Sequence, residues 1–188
     1  RTGGGRAPWE GVKPRFHHVP ARHGAALYFP APRSFSGFAV SCDDNPPVSV
    51  VIPVYNQFAH THVCLLALSE HPARVSCEII VVDDGSTDET STALPQVEGL
   101  RYHRRLENGG FIAACNDGAA RAKGEYLVFL NNDTVPQPGW LDALLKTFDD
   151  HPNAGLVGAQ LLFPDGRLQE AGGIVRNDGR ADNHGRLH

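Results

Sequence analysis

Apolar positions along this chain follow two rhythms. Largely apolar runs at Val48–Val54, Cys77–Val82 and Glu125–Leu130 stop abruptly at polar residues. Runs of this length, rich in β-branched residues and bounded by turn formers, predict strands buried on both faces. Between them apolar residues recur every three or four positions, which predicts helices. One helix is expected from about Gln57 to Glu70, with Phe58, Cys64, Leu65 and Leu68 on its inner stripe. A second carries Phe111, Ala114, Cys115, Gly118, Ala119 and Ala122 on one face. Most of these are small, so that helix can lie close to a sheet. A third is marked by Trp140, Leu141, Leu144, Leu145 and Phe148, entered through Pro136 and Pro138. Ser86-Thr87-Asp88-Glu89 has the form of a capping box, opening a short helix that Pro95 stops. Leu100–His103 reads as a weaker strand, Gly155–Phe163 as another, and Ala171–Val175 as a last short one.

Strands that alternate with helices predict an α/β fold, a mostly parallel sheet with helices on both faces. Residues 1–46 break this pattern. They are rich in Pro, Gly, Arg and His, with Phe16, Leu27, Tyr28, Phe29, Phe35 and Phe38 as scattered apolar anchors. They are expected to be an irregular extension that packs in part on the domain. Residues 47–175 form the expected α/β unit, and 176–188 a polar, disordered tail.

Composition narrows the function. The 188 residues carry a net charge of -4, against a general nucleic-acid binder. No run approaches the roughly 18 apolar residues that span a bilayer, so no transmembrane segment is expected. None of the four cysteines forms a C-x-x-C pair, against a structural zinc site. Cys64, Cys77 and Cys115 read as reduced core residues, in keeping with a reducing cytosol. The ten histidines make no H-E-x-x-H spacing. Methionine is absent, even at position 1, so the chain reads as a piece of a longer protein.

The chemistry is expected where the strands end, because ligands of open parallel sheets bind beyond the strands' carboxyl ends. Pro53 cannot donate to a sheet ladder and marks where the first strand leaves the sheet. Tyr55 after it could stack on a base, and Asn56 could cap the next helix. Asp83 and Asp84 end the second strand, where a carboxylate can accept from a base imide or ribose hydroxyls, and Gly85 supplies the turn. Asn108-Gly109-Gly110 keeps side chains away from a ligand approaching the backbone. Asn131-Asn132-Asp133 ends a third strand, with one carboxylate able to serve a hard cation alongside substrate phosphates. The expectation is that Asp83, Asp84 and Asp133 gather around one cleft.

The ordered segments PVYN, VVDDGSTDET and ENGGFIAACNDGAARAKGEYLVFLNNDT resemble glycosyltransferase family 2 over about residues 47–175. LQEAGGIVRNDG further resembles bacterial, rhamnosyltransferase-like members that build surface polysaccharides. The resemblance implies a GT-A, Rossmann-like fold, incomplete here at its C-terminus, and inverting transfer from a nucleotide diphosphate sugar. It implies that Pro53, Tyr55, Asn56, Asp83, Asp84, Gly85, Asn108, Gly109, Asn131, Asn132 and Asp133 line the nucleotide site. Asp133 would face a divalent cation, Mg or Mn. Asn131 stands where the family's DXD motif has its first acid. The implied partners are a UDP- or dTDP-sugar and a saccharide or lipid-linked acceptor; separately, an incomplete domain would expose apolar surface where its other half packs, which is expected to drive a homodimer. The implied location is the cytoplasm, with a peripheral place on the membrane's inner face.

The family's catalytic base is an Asp in a Glu-Asp pair well past the DXD motif. No such pair follows Asp133, so the base is expected beyond residue 188 and this chain is expected to bind donor without transferring sugar. Three other readings are weighed against this one. A sugar-phosphate nucleotidyltransferase would open with a glycine-rich loop and a basic residue, which Pro53–Gln57 lacks. A catalytically silent nucleotide-binding or scaffold module would fit both the substituted motif and the absent base. A dinucleotide oxidoreductase fails for want of G-x-G-x-x-G.

Overall fold

The computed structural model describes residues 27–31, 35, 38–40, 42–175 and 180–183. Strand β1 (Val48–Val54) is buried along its whole length and forms the centre of a four-stranded sheet. It is flanked by β2 (Cys77–Asp83) on one side and β4 (Tyr126–Phe129) on the other, with β3 (Leu100–Arg104) outside β2. All three pairings are parallel.

Alternation along the strands divides the core. Val48, Val50, Ile52 and Val54 join Ile79 and Val81 on the face covered by helix α1 (Phe58–Glu70), by helix α2 (Thr90–Ala93) with the 3₁₀ turn Leu94–Gln96, and by Leu141 of helix α4 (Trp140–Asp150). Val51, Ile80 and Val82 face Ala114 of helix α3 (Phe111–Ala119). A Cβ on Gly118 would lie 2.3 Å from Val51 Cγ1 and 3.2 Å from Val82 Cγ2. The small residues on this helix therefore do allow the close approach expected of them. Its first turn does not join the core: Phe111 is 59% exposed and Ile112 75%.

Other expectations change. The capping box does not form. Ser86 Oγ accepts from the Asn56 amide instead, and α2 starts later, at Thr90, with no side-chain cap. Most of the run Gly155–Phe163 is irregular; of it only β5 (Leu161–Leu162) pairs, with β6 (Leu168–Glu170), and among the described residues no strand lies beside Gly155–Gln160 to complete a ladder. Within the expected polar tail, β8 (Ala181–Asn183) pairs antiparallel with β7 (Gly173–Val175); 176–179 and 184–188 lie outside the described residues. Of the extension's anchors, Phe35 and Phe38 pack against the core with Phe58 and His62, and Val40 is buried in it, its amide bonded to Glu98 O. Phe16 lies outside the described residues.

Candidate functional site

The order β3-β2-β1-β4 reverses direction between β1 and β4. That reversal is the switch point at which open α/β sheets leave a crevice beyond the carboxyl ends. Pro53 explains part of its opening. The proline stays inside β1, opposite Val82, and the strand runs on to Val54, paired with Asp83. Val51 O accepts from Leu130 N and Val54 O from Asp84 N, so odd-numbered β1 residues point toward β4. The pairing with β4 stops at Val51. The donor that proline lacks is thus missing only on the side β4 has already left.

Beyond β1 and β2 the loops are laced together. Asn56 (φ 55°) and Gln57 (φ 59°) are both left-handed, a conformation asparagine tolerates better than glutamine. Asn56 Oδ1 accepts from the amides of Thr87 (2.8 Å) and Asp88 (3.3 Å), so Asn56 caps the β2 turn and not its own helix. Asp88 Oδ2 returns the favour by accepting from Phe58 N, in the first turn of α1 (3.1 Å). Burial opposes the charge on Asp88, yet the amides of Thr90 and Phe58 hold its carboxyl below the usual carboxylate range. Tyr55 stands outside this lacing, 50% exposed.

Both acids after β2 turn inward. Asp83 is fully buried. It accepts from Ser86 N (2.7 Å), Tyr102 Oη and Arg104 Nη1 (2.7 Å). Burial, together with the bond to Asp83, pushes the Tyr102 phenol up to about 12, so it stays a donor. Asp84 is 3% exposed and accepts from Gly109 N (3.0 Å) and Gly110 N (2.7 Å), with Arg105 Nη1 at 3.0 Å. Arg105 also reaches Asp117 of α3 at 3.2 Å. Gly109 is bare because Arg105 fills the space: a Cβ there would lie 2.5 Å from its guanidinium. Gly85 takes φ 78°, and a Cβ on it would meet Asn108 N at 3.2 Å. The side-chain-free loop thus spends its amides on Asp84. Asn108 itself is exposed and accepts from Gly110 N.

The other rim differs. In the Asn131-Asn132-Asp133 turn the first and third residues are exposed, and the second is half-buried. Asn132 Nδ2 donates to Thr61 Oγ1 of α1 (2.9 Å). Thr134 closes the turn through its amide (3.3 Å) and hydroxyl (2.7 Å) to Asn131 O. The three strand ends therefore meet at one edge of the sheet, but the three carboxylates do not share a cleft. Two are buried among protein donors and one faces out.

Asp133 fits a cation that brings its own oxygens: an exposed carboxylate flanked by the exposed amide of Asn131. Among the described residues no cluster of three or more His, Cys, Asp or Glu forms a closed metal cage. A cavity of about 1010 Å³ is not centred on these acids. It lies beyond β4, walled by Phe129, Trp140, Leu144, Phe148 and Leu156, and meets the crevice only at Leu130, Asn131 and Thr134. Tyr102, Arg104 and Arg105 were not anticipated as site residues. Their signal was the Tyr-His-Arg-Arg sequence of a weak strand, next to a strand that ends in two acids.

The likenesses agree with this geometry. A family model described as Glycosyl transferase family 2 matches residues 49–181. The O-antigen biosynthesis protein RfbC of Myxococcus xanthus is 36% identical over 91% of this chain and 14% of its own length. Glycosyltransferase AglE of Haloferax volcanii is 36% identical over 63% of this chain and 40% of its own. The chain thus spans less than half the length of either relative. Among solved structures, the mannosyltransferase PcManGT of Pyrobaculum calidifontis, in complex with GDP-Man and Mn²⁺, superposes with TM-score 0.52 at 26% identity, covering 69% of this chain and 40% of that one. TarS of S. aureus, in complex with UDP-GlcNAc, gives 0.51 at 24%, covering 60% and 37%, a likeness of fold: the GT-A, Rossmann-like parallel sheet described above.

Proposed function

The chain belongs to glycosyl transferase family 2, and on that premise we propose that it carries the donor half of an inverting glycosyltransferase that builds surface polysaccharide. One observation carries this reading. The switch point between β1 and β4 presents Tyr55 on one rim and the exposed Asn131 and Asp133 on the other. Tyr55 offers a ring face for a base, and Asn108 lies exposed on the same side of β1 as the β2 turn. A divalent cation held by Asp133 and diphosphate oxygens would supply countercharge to the leaving group. Pro53, Asn56, Asp83, Asp84, Gly85, Gly109 and Asn132 serve the same site by shaping it. They fix the loops against which the nucleotide lies, and a preorganised loop costs less to order on binding.

Acceptor activation needs a base. Asp142 is held by the amides of Arg74 and Val75, Asp150 by Lys146, and Asp165 by Arg167. These three acids are engaged, and donor binding without sugar transfer by the present chain is the reading put to the test below. The family match sets the nucleotidyltransferase reading aside. Free cysteines, with Cys64 and Cys115 buried, support a reducing compartment. Among the described residues no helix is long and apolar enough to cross a membrane. The homodimer would form on the open β4 edge, where Leu127 and Phe129 are 41% and 49% exposed.

Calorimetry with UDP, dTDP and GDP, each with and without Mn²⁺, tests the reading. Heat with a uridine or thymidine nucleotide, strengthened by metal, is expected, and no sugar release from the matching donor. Silence from every nucleotide at millimolar concentration would overturn it.

A further inference from the structure

We infer that Gln137 is a positioning residue for the Asn131–Asp133 turn and that Tyr28, from outside the family domain, holds it there. The inference rests on the donor-site reading of Asp133. Tyr28 precedes the matched residues 49–181 and is remote from Gln137 in sequence, yet the two are joined by a closed pair of hydrogen bonds. Tyr28 N donates to Gln137 Oε1 (2.7 Å), and Gln137 Nε2 donates to Tyr28 O (3.0 Å). The side-chain amide thus pairs with the Tyr28 backbone as a neighbouring strand would. Gln137 Nε2 also donates to Val135 O (3.0 Å). The Tyr28 ring stands edge-on to His71, at the end of α1, with centroids 4.3 Å apart.

The segment after Asp133 needs such a brace. Pro136 and Pro138 flank Gln137 and bring no amide donors, so this stretch has few backbone bonds of its own. Their fixed φ also makes the stretch stiff, so a shift at Gln137 is passed along the chain rather than absorbed. One end of the segment is pinned to the first half of α1 through Asn132 and Thr61. The other end is pinned near the close of α1 through Gln137, Tyr28 and His71. Asp133 lies between the two anchors. Gln137 O also accepts from Trp140 N, so the same residue sets the start of α4.

The test uses the full chain, the variant Gln137→Leu and the control Gln96→Leu, whose amide bonds only within its own helical turn region, to Thr92 O. Binding of whichever of UDP, dTDP or GDP the wild type takes is measured with and without Mn²⁺, alongside hydrogen exchange over residues 131–138. In Gln137→Leu the Mn²⁺-dependent affinity should fall at least about fivefold, the worth of one of the three neutral hydrogen bonds lost, while metal-free binding holds. Exchange over 131–138 should quicken and exchange in α1 should not. The control should match wild type. An equal loss with and without metal, or unchanged exchange, overturns this role for Gln137 and leaves the donor site standing. A wild type that gains nothing from Mn²⁺ overturns the reading of Asp133, and this inference with it.

Discussion

The two rims of the crevice use the same residue types in opposite ways. On the β2 side, Asp83 and Asp84 are buried and meet five donors from the Ser86, Gly109 and Gly110 amides, Tyr102 and Arg104, with Arg105 paired alongside. On the β4 side, Asp133 and Asn131 are exposed and the turn is held by its neighbours, Asn132 and Thr134. A carboxylate at a strand end is therefore not a ligand by position alone. Where the following chain supplies amides and arginines it becomes a structural node. Where it does not, the acid remains available for a ligand. One rim is spent on shape; the other is the one we propose for contact.

Removing the acids should separate these roles most sharply. Asp83→Ala leaves Tyr102, the Ser86 amide and Arg104 without their acceptor. Breaking a buried pair costs about 3 kcal/mol at the low end of the usual range, and Arg104, 41% exposed, argues for that low end. Asp133→Ala should change stability by under about 0.5 kcal/mol, as exposed substitutions do, yet abolish metal-assisted nucleotide binding. Urea denaturation beside calorimetry reads both. If Asp83→Ala is as stable as wild type while Asp133→Ala unfolds, the two rims have been assigned the wrong way round.

The sequence made one rim far more legible than the other. Val48–Val54, Cys77–Val82 and the helices after them follow from largely apolar runs and helical spacing, because burial on both faces leaves few alternatives. The abrupt change to polar residues located the crevice. What each acid would face was hidden, since the partners of Asp83 and Asp84 come from β3 and the loop after it. No local pattern links Asp84 to Gly109, or Asn56 to Thr87. Ser86 illustrates the same limit: its local motif is a capping box, but a closer donor, the Asn56 amide, arrives from another loop. Gly155–Gln160 has the composition of a strand but, among the described residues, no adjacent strand to pair with. A strand needs a partner as well as a propensity.

The opposite end of β2 extends the comparison with a smaller effect. Glu78 is fully buried at the sheet's amino edge, bonded to Ser49, the Lys123 amide (2.7 Å) and Arg101. Burial opposes its charge, but these bonds outweigh it and hold its carboxyl below the ordinary 4.5. A depressed folded pKa means stability that is complete above the unfolded value and is lost as pH falls through the folded one. The wild type should therefore weaken, as pH falls below about 4.5, more steeply than Glu78→Gln, which should be weaker at neutral pH already. Parallel curves for the two proteins would show that Glu78 does not act as a paired carboxylate, leaving Asp83 and Asp84 as the ion-paired acids that matter for folding.

The smallest effect probes the exposed rim from beneath. Cys64 lies fully buried behind the Asn131 turn, its Sγ 3.9 Å from Asn131 O. Burial above all, with the nearby Asp133 charge adding to it, pushes this thiol up to about 12. At neutral pH it holds no appreciable thiolate, the form that reacts. Cys42, by contrast, is exposed. Ellman's reagent should label Cys42 first and Cys64 only on unfolding. Asp133→Asn removes the lesser cause and leaves burial untouched, so labelling of Cys64 should stay within about twofold of wild type. Fast labelling in that variant would mean that the Asp133 carboxylate holds the turn closed. Asp133 would then be a structural node like Asp83, and the distinction between a rim for shape and a rim for contact would fail at its most exposed residue.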